Sequence, residues 1–315
     1  IGYGHVDGLR AGLCVSCRQP NEGGSATFCR NCLLLRRPKV NKGLFSPTRI
    51  RRPKVRTRTV RNLVNWLACG PGQAFQLVQG LPPQSVVVDL FGGSGSLSLL
   101  AHEHGHTVFG WNELHPHLFT FVDTVASGLD LTQHILMAGK LGPATLKLWY
   151  QGLLPAEDPR TTAAVFYHVA RNVKGRNMAA LDIQGIAPCP PEHLLRKSFG
   201  AMQQGLGPAR RTNLDFAKAA LVLDWKGVTF LLDPPWPNQT CYEYGIDGRY
   251  RELVETMLDA NADFLGVFQS CRTTMASLKG VPYLYWLSSG GPKTILASSR
   301  PVPGREPFKL SDFGV

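Results

Sequence analysis

Beyond about residue 61 the chain alternates short runs of β-branched and apolar residues with longer amphipathic stretches, the pattern of a sheet built from βαβ units. The unbroken apolar run Val86-Val87-Val88 predicts a buried strand over 85–90, followed by a helix over 94–103 and a second strand over 106–111. Another helix is expected to begin near Pro116. Later strands are expected at 228–232, 262–268, 283–287 and 293–297, with a helix over about 249–259 between the first two. The expectation is an α/β protein with a doubly wound sheet. That sheet is interrupted over about 133–211 by a stretch rich in Gly, Pro and basic residues whose periodicity is poor. A long insertion inside a compact α/β domain usually carries function.

Before residue 61 this alternation is missing. Cys14-Val15-Ser16-Cys17 and Cys29-Arg30-Asn31-Cys32 are two Cys-x-x-Cys knuckles separated by eleven residues, so Cys14, Cys17, Cys29 and Cys32 can close a tetrahedral zinc site. A ribbon over 1–35 is too short to bury a core, and metal binding would supply its folding free energy. A redox pair of motifs is the alternative reading. Over 36–61 follows a basic, proline-interrupted linker in which Arg36-Arg37-Pro38-Lys39-Val40 recurs as Arg51-Arg52-Pro53-Lys54-Val55. Pro38, Pro47 and Pro53 oppose a continuous helix and leave an extended arm on which Arg51, Arg52 and Lys54 can follow a phosphate backbone; a solvated tether is the plainer reading.

Charge points the same way as the arm. Lys and Arg number 34 against 22 Asp and Glu, a formal net charge of +12, which favours a polyanion through release of its condensed counterions. The 43% hydrophobic content supplies a sizeable core, yet no run of 18 or more apolar residues occurs and the start lacks a secretory pattern, so an intracellular setting is expected. The chain opens on Ile1 instead of Met, and a trimmed start or further chain upstream is expected. Four of the eight cysteines crowd into the first 32 residues, which suits a metal site better than a disulfide framework.

Candidate chemistry concentrates at two strand ends. Asp89-Leu90-Phe91-Gly92-Gly93-Ser94-Gly95 follows the first strand and opens a helix, so its backbone can approach a nucleotide-like cofactor closely. A dinucleotide would want Gly-x-Gly-x-x-Gly with its pyrophosphate on the helix start. An acid ahead of the glycines instead favours the charged amine of a methionine moiety. Asp89, Phe91, Gly92, Gly93, Ser94 and Gly95 are therefore cofactor candidates. Glu113, after the next strand, is suited to a ribose diol, although an acid opening the following helix is the plainer reading.

The second strand end is Asp233-Pro234-Pro235-Trp236, after the apolar run 228–232. Two prolines make the loop rigid and leave its carbonyls free to accept. An aromatic exocyclic amine is a poor nucleophile because its lone pair is delocalised into the ring. Accepting its hydrogens at Asp233 and at the Pro234 carbonyl would pull the nitrogen toward sp³ character, while Trp236 stacks on the extruded base. Catalysis would then be orientation and electrostatics. Alone the tetrapeptide could be an ordinary turn. Its weight comes from both motifs ending strands of one sheet, where ligands of open α/β sheets sit.

In this order, glycine motif, insertion, then Asp-Pro-Pro-aromatic loop, the chain resembles the Dam-type DNA adenine methyltransferases from about Val64 onward. Asn65-Trp66-Leu67-Ala68-Cys69-Gly70 is similar to the family's opening cofactor motif, with Asn65 in place of a lysine, and gives Trp66 a cofactor role. Trp111-Asn112-Glu113-Leu114-His115-Pro116 is similar to its Asn-Asp-Ile-Asn-Pro segment, Glu113 replacing the ribose-binding Asp. Thr212-Asn213-Leu214-Asp215-Phe216 resembles the segment whose acid, here Asp215, contacts the cofactor's adenine ring. Phe166-Tyr167 and Arg171-Asn172-Val173-Lys174-Gly175-Arg176-Asn177 look like the start of the recognition subdomain and make Arg171, Lys174 and Arg176 DNA-binding candidates. Trp236 stands where the family usually has Tyr.

The resemblance implies a class I S-adenosylmethionine-dependent methyltransferase, a Rossmann-like sheet in halves 62–132 and 212–315 around a target-recognition insertion at 133–211. The zinc ribbon and basic arm lie outside it. It implies methyl transfer from S-adenosylmethionine to the exocyclic amine of a flipped adenine in double-stranded DNA, with S-adenosylmethionine as cofactor and DNA as partner; the cysteine knuckles add a structural Zn2+, and restriction-modification, phage defence and regulation all stay open as the role. An RNA adenine methyltransferase would need a permuted motif order, and an idle zinc-ribbon DNA-binding protein would not need intact motifs. Two further features are read as structural. His102-Glu103-His104-Gly105-His106 is expected to be a solvated turn and not a metal site, and Cys241 and Cys271 are expected to be buried small hydrophobes.

Overall fold

The computed structural model describes Val64 and residues 71–154, 158–174, 177–224, 226–237, 246, 248–287 and 294–313. Cys14, Cys17, Cys29, Cys32, Arg51, Arg52, Lys54, Trp66, Arg176 and Cys241 lie outside the described residues.

Seven strands form one sheet: β1 (Val86–Asp89), β2 (Thr107–Asn112), β3 (Arg210–Thr212), β4 (Val228–Leu232), β5 (Asp263–Gln269), β6 (Tyr283–Leu287) and β7 (Thr294–Ser298). Their order is β3-β2-β1-β4-β5-β7-β6, parallel except for β7, which runs against both β5 and β6. The expected α/β class and the strands at 228–232 and 283–287 are found, the others within a residue or two. β3 was not anticipated. Consecutive strands spread in one direction from β1 through β2 and β3 and in the other from β4, so the order reverses between β1 and β4. A crevice opens at such a reversal, beyond the carboxyl ends of the two strands.

Alternation along the strands divides the core in two. Val87, Leu231, Leu265 and Leu296 face a layer containing α1 (Pro71–Gln79), α2 (Ser96–Glu103) and α3 (Pro116–Ala126), whereas Val88, Phe230, Leu232 and Ile295 face α8 (Phe216–Leu223), α9 (Tyr250–Asp259) and α10 (Arg272–Ser277). β4 is buried at every position because both faces are covered, which is why it reads as a continuous apolar run.

The insertion is mostly helical, contrary to the poor periodicity read from its sequence. It contains α4 (Thr132–Ala138), α5 (Pro143–Tyr150), α6 (Pro159–Asn172) and α7 (Glu192–Leu206). α6 is buried on nearly all sides from Ala163 to Ala170 because α3, α4 and α5 all pack on it. α7 lays the stripe Leu195, Phe199, Met202 and Leu206 against α2 and α3, adding a second helical layer on that face of the sheet. Arg211 closes the segment. Its guanidinium donates to Asp123 at 2.7 Å and to the carbonyls of Leu206, Gly207 and Ala209, tying the end of α7 to α3. No helix among the described residues is long and apolar enough to cross a membrane.

Candidate active site

Asp89 ends β1 and is fully buried. Its Oδ2 accepts from the Ser98 hydroxyl at 2.6 Å, while Oδ1 is buried with no hydrogen-bond partner among the described residues. Burial pushes its pKa up to about 7; the Ser98 bond and, more weakly, the Phe91 N–H, which faces the carboxyl without reaching hydrogen-bond geometry, oppose this, and repulsion from Asp233 and Glu113 adds to it. A buried carboxylate with an unsatisfied oxygen and two acidic neighbours is a place for a cation.

The turn after Asp89 is shaped by two glycines. A Cβ on Gly92 would fall 1.9 Å from the indole Nε1 of buried Trp111, and Gly95 holds φ at 79° where α2 begins. Glu113, one residue past β2, reaches back to this turn. Its Oε2 accepts from Gly93 N–H at 2.9 Å and its Oε1 from His115 N–H at 2.8 Å. Its pKa is nevertheless raised, burial outweighing these backbone bonds. His115 in turn caps α3: Nδ1 accepts from Leu118 N–H, so Nε2 carries the proton toward the Tyr150 hydroxyl at 2.9 Å.

Several residues of this neighbourhood had no role in the sequence reading. Asn112 donates from Nδ2 to the carbonyls of Leu90 and Leu214, and its Oδ1 accepts from the Thr212 hydroxyl and Leu214 N–H. One side chain thus joins the ends of β1, β2 and β3. Asn213 donates to the carbonyls of Glu113 and Leu114, which ties the backbone after β2 to the segment that leads to Asp215. Asp215 caps α8 by accepting from Ala217 N–H and pairs with Arg249 at 2.7 Å, which holds its carboxyl below the usual range. The Arg249 guanidinium lies 4.5 Å from the Phe216 ring centroid, and Phe216 tilts against Phe91 at 6.0 Å.

Asp233, Pro234, Pro235 and Trp236 follow β4 directly, so Asp89 and Asp233 leave adjacent parallel strands at the reversal of strand order. Pro234 is buried, while Asp233, Pro235 and Trp236 are partly exposed. The hydroxyl of buried Tyr250, the first residue of α9, donates to the Pro235 carbonyl. Burial, with Cys271 and Asp233 nearby, raises the pKa of that phenol, so it stays a donor.

The remaining candidates stand apart from this cluster. Phe166 and Tyr167 are buried in α6, and Phe166 lines a cavity of about 240 Å³ with His117, Trp149 and Tyr150. Arg171 donates to the Tyr167 hydroxyl at 2.6 Å and covers its ring, whereas Lys174 is exposed. His102 and His104 are exposed as a solvated turn requires, but His106 is buried and accepts Ser85 N–H, a correction to that reading. Cys271 is buried against Thr274, as expected of a small core residue. Among the described residues no group of His, Cys, Asp and Glu is arranged to hold a metal ion.

No protein-family model matches this chain, and no curated protein does either.

Proposed function

We propose that the chain is an S-adenosylmethionine-dependent methyltransferase acting on the exocyclic amine of an adenine extruded from DNA. The observation that carries this reading is the convergence of Asp89, Glu113 and Asp233 at the reversal of strand order, with a buried oxygen of Asp89 left unsatisfied. A nicotinamide dinucleotide would bring a pyrophosphate to the turn after β1, where three carboxylates would repel it. The order also departs from the six-strand parallel dinucleotide sheet by its antiparallel β7. A cofactor carrying an ammonium and a sulfonium fits where an anion does not.

Asp89 would hold the methionine ammonium, and Glu113 the ribose hydroxyls from a carboxylate already aimed by Gly93 and His115. Asp215 Oδ2 accepts from Arg249 at 2.7 Å, and an adenine amine can share it beside the Phe216 ring. Phe91, Gly92, Ser94 and Gly95 form the turn that passes beneath. Bound there, S-adenosylmethionine would supply an electrophilic methyl on cationic sulfur.

On the substrate side Asp233 accepts one hydrogen of the target amine and the Pro234 carbonyl the other, since Tyr250 already occupies the carbonyl of Pro235. That shift toward sp³ frees the nitrogen lone pair for in-line attack. With the cofactor bound, its methyl would pass to that nitrogen, which would shed one proton to the Asp233 carboxylate. Trp236 stacks on the base. A base within a duplex cannot reach this crevice, so extrusion is required. Arg171 and Lys174 of the insertion, Arg176 after them, and the arm residues Arg51, Arg52 and Lys54 are the proposed phosphate contacts. Cys14, Cys17, Cys29 and Cys32 are the proposed ligands of a structural zinc ion.

The test is incubation with labelled S-adenosylmethionine and separate DNA, RNA and protein substrates, followed by digestion to nucleosides. Label is expected on N6 of adenine in DNA alone, and Asp233→Ala is expected to abolish it while cofactor binding persists. Label only on RNA, cytosine or protein would overturn the assignment.

A further inference from the structure

Two consecutive residues where α9 begins reach two different loops, Arg249 the segment after β3 and Tyr250 the loop after β4. Arg249 donates from Nη1 to Asp215 Oδ2 at 2.7 Å and from Nη2 to Asp215 Oδ1 at 3.1 Å, and its plane covers Phe216. Tyr250 donates to the Pro235 carbonyl in the middle of the 233–236 loop, with its ring edge-on to Phe268 at 6.4 Å. Their backbone is stiff. Arg249 N–H donates to the Ile246 carbonyl, and Leu253 N–H closes the first helical turn on the Arg249 carbonyl at 3.0 Å. Glu252, on the same turn, holds the guanidinium from the other side through Nε and Nη2, each at 2.6 Å.

A partly exposed ion pair of this kind adds little to stability on its own, which directs attention to what it positions. Both partners of Arg249, a carboxylate and a ring face, are what an adenine would use through its amine and its π-surface. We propose that Arg249 and Tyr250 are positioning residues that couple cofactor occupancy at Asp215 and Phe216 to the setting of the Asp233–Trp236 loop. The inference rests on the cofactor placement proposed above. An adenine seated at Asp215 and Phe216 shares the groups that hold Arg249 and shifts it. Tyr250 is the next residue on a rigid turn, so the shift is delivered to Pro235. Linkage makes the effect reciprocal: a base held by the loop tightens the cofactor by the same factor.

The experiment follows Trp236 emission, taken as the difference between the wild type and Trp236→Phe, during titration with S-adenosylhomocysteine, with thermal melts reporting the folded state. The wild-type emission is expected to shift on binding. Arg249→Ala leaves Asp215 and the Phe216 face free for the adenine, and is expected to bind at least as tightly as the wild type and at saturation to lose the Trp236 response. Arg249→Lys keeps the charge but neither the fork nor the planar stack, and is expected to behave as Arg249→Ala does. Tyr250→Phe is expected to bind with wild-type affinity and lose the response. A saturated response that persists in Arg249→Ala and Tyr250→Phe, or is missing from the wild type, overturns the coupling alone. Failure of the wild type to bind S-adenosylhomocysteine overturns the cofactor assignment and the coupling with it.

Discussion

Gly93 N–H donates to Glu113 Oε2 at 2.9 Å across a separation of 20 residues, so the turn after β1 and the acid after β2 are one unit. The bond aims the carboxylate before any ligand arrives, and preorganisation of this kind lowers the cost of binding. Glu113→Gln keeps the shape but replaces one accepting oxygen by a donor that faces an N–H. Loss of a bond to a charged group is worth about 1.5–3 kcal/mol, here first as stability because the Gly93 bond is internal, and the ribose hydroxyls would also meet a neutral amide in place of a carboxylate. The melting temperature is expected to fall, and titration calorimetry with S-adenosylhomocysteine on the folded variant to show weaker binding.

Asp89 sets a pH dependence whose sign follows from its raised pKa, about 7 against an ordinary 3.8. A folded-state pKa above the unfolded one contributes stability that is fully present below about pH 4 and is lost as pH rises through about 7. The ligand-free chain is therefore expected to melt at lower temperature at pH 8 than at pH 5.5, and Asp89→Asn to flatten that slope. A bound ammonium reverses the preference by stabilising the ionised form. S-adenosylhomocysteine affinity is expected to rise from pH 6 to pH 8, whereas 5′-methylthioadenosine, which has no ammonium, is expected to show no such rise. Calorimetry at three pH values distinguishes the two ligands.

The parts of the fold that were legible are those whose burial is written locally. β4 and β6 are apolar runs bounded by turn residues, and their ends were read to the residue. β3 escaped notice because Arg210-Arg211-Thr212 is a three-residue edge strand held by pairing to β2 and not by its own composition. α6 does carry a polar side, at Arg160, Thr161, His168, Arg171 and Asn172, but its middle turns are buried all round because helices surround it, so the polar side does not mark a solvent face. α7 did carry a helical stripe, at Leu195, Phe199, Met202 and Leu206, which the surrounding Gly and Pro residues obscured. The site divides in the same way. Asp89, Glu113 and Asp233 each mark a strand end and could be found from the sequence. Asn112, Asn213, Arg249 and Tyr250 act through partners up to about a hundred positions away, and nothing local marks them.

Gly92 is fixed by its neighbour and not by its backbone angles. An added Cβ would lie 1.9 Å from Nε1 of Trp111, which is fully buried and stacked on Phe119 at 6.0 Å, so the indole cannot yield freely. Overpacking of this kind costs about 1–3 kcal/mol. Gly92→Ala is expected to lower the urea midpoint, and replacing Trp111 by Phe in the same chain to recover part of the loss by removing the clashing atoms. Equal midpoints for Gly92→Ala and the wild type would count against the packing described.

Asn112 fastens the segment that leads to Asp215 to the ends of β1 and β2. Its amide is 2% exposed and meets Leu90, Thr212 and Leu214, the last 102 residues away. Asn112→Ala leaves two carbonyls, one N–H and a hydroxyl without that partner, and an unsatisfied buried group costs about 1–3 kcal/mol. Because Leu214 directly precedes Asp215, the loss is expected to appear twice: as a lower unfolding midpoint, and as weaker S-adenosylhomocysteine binding under conditions where the chain remains folded. Thr212→Val removes only the hydroxyl bond and is expected to lower the midpoint less while leaving affinity near that of the wild type. The two variants together separate the general stability of the β3 edge from the placement of Asp215, and a uniform drop in both measurements for both variants would argue that Asn112 has no positioning role.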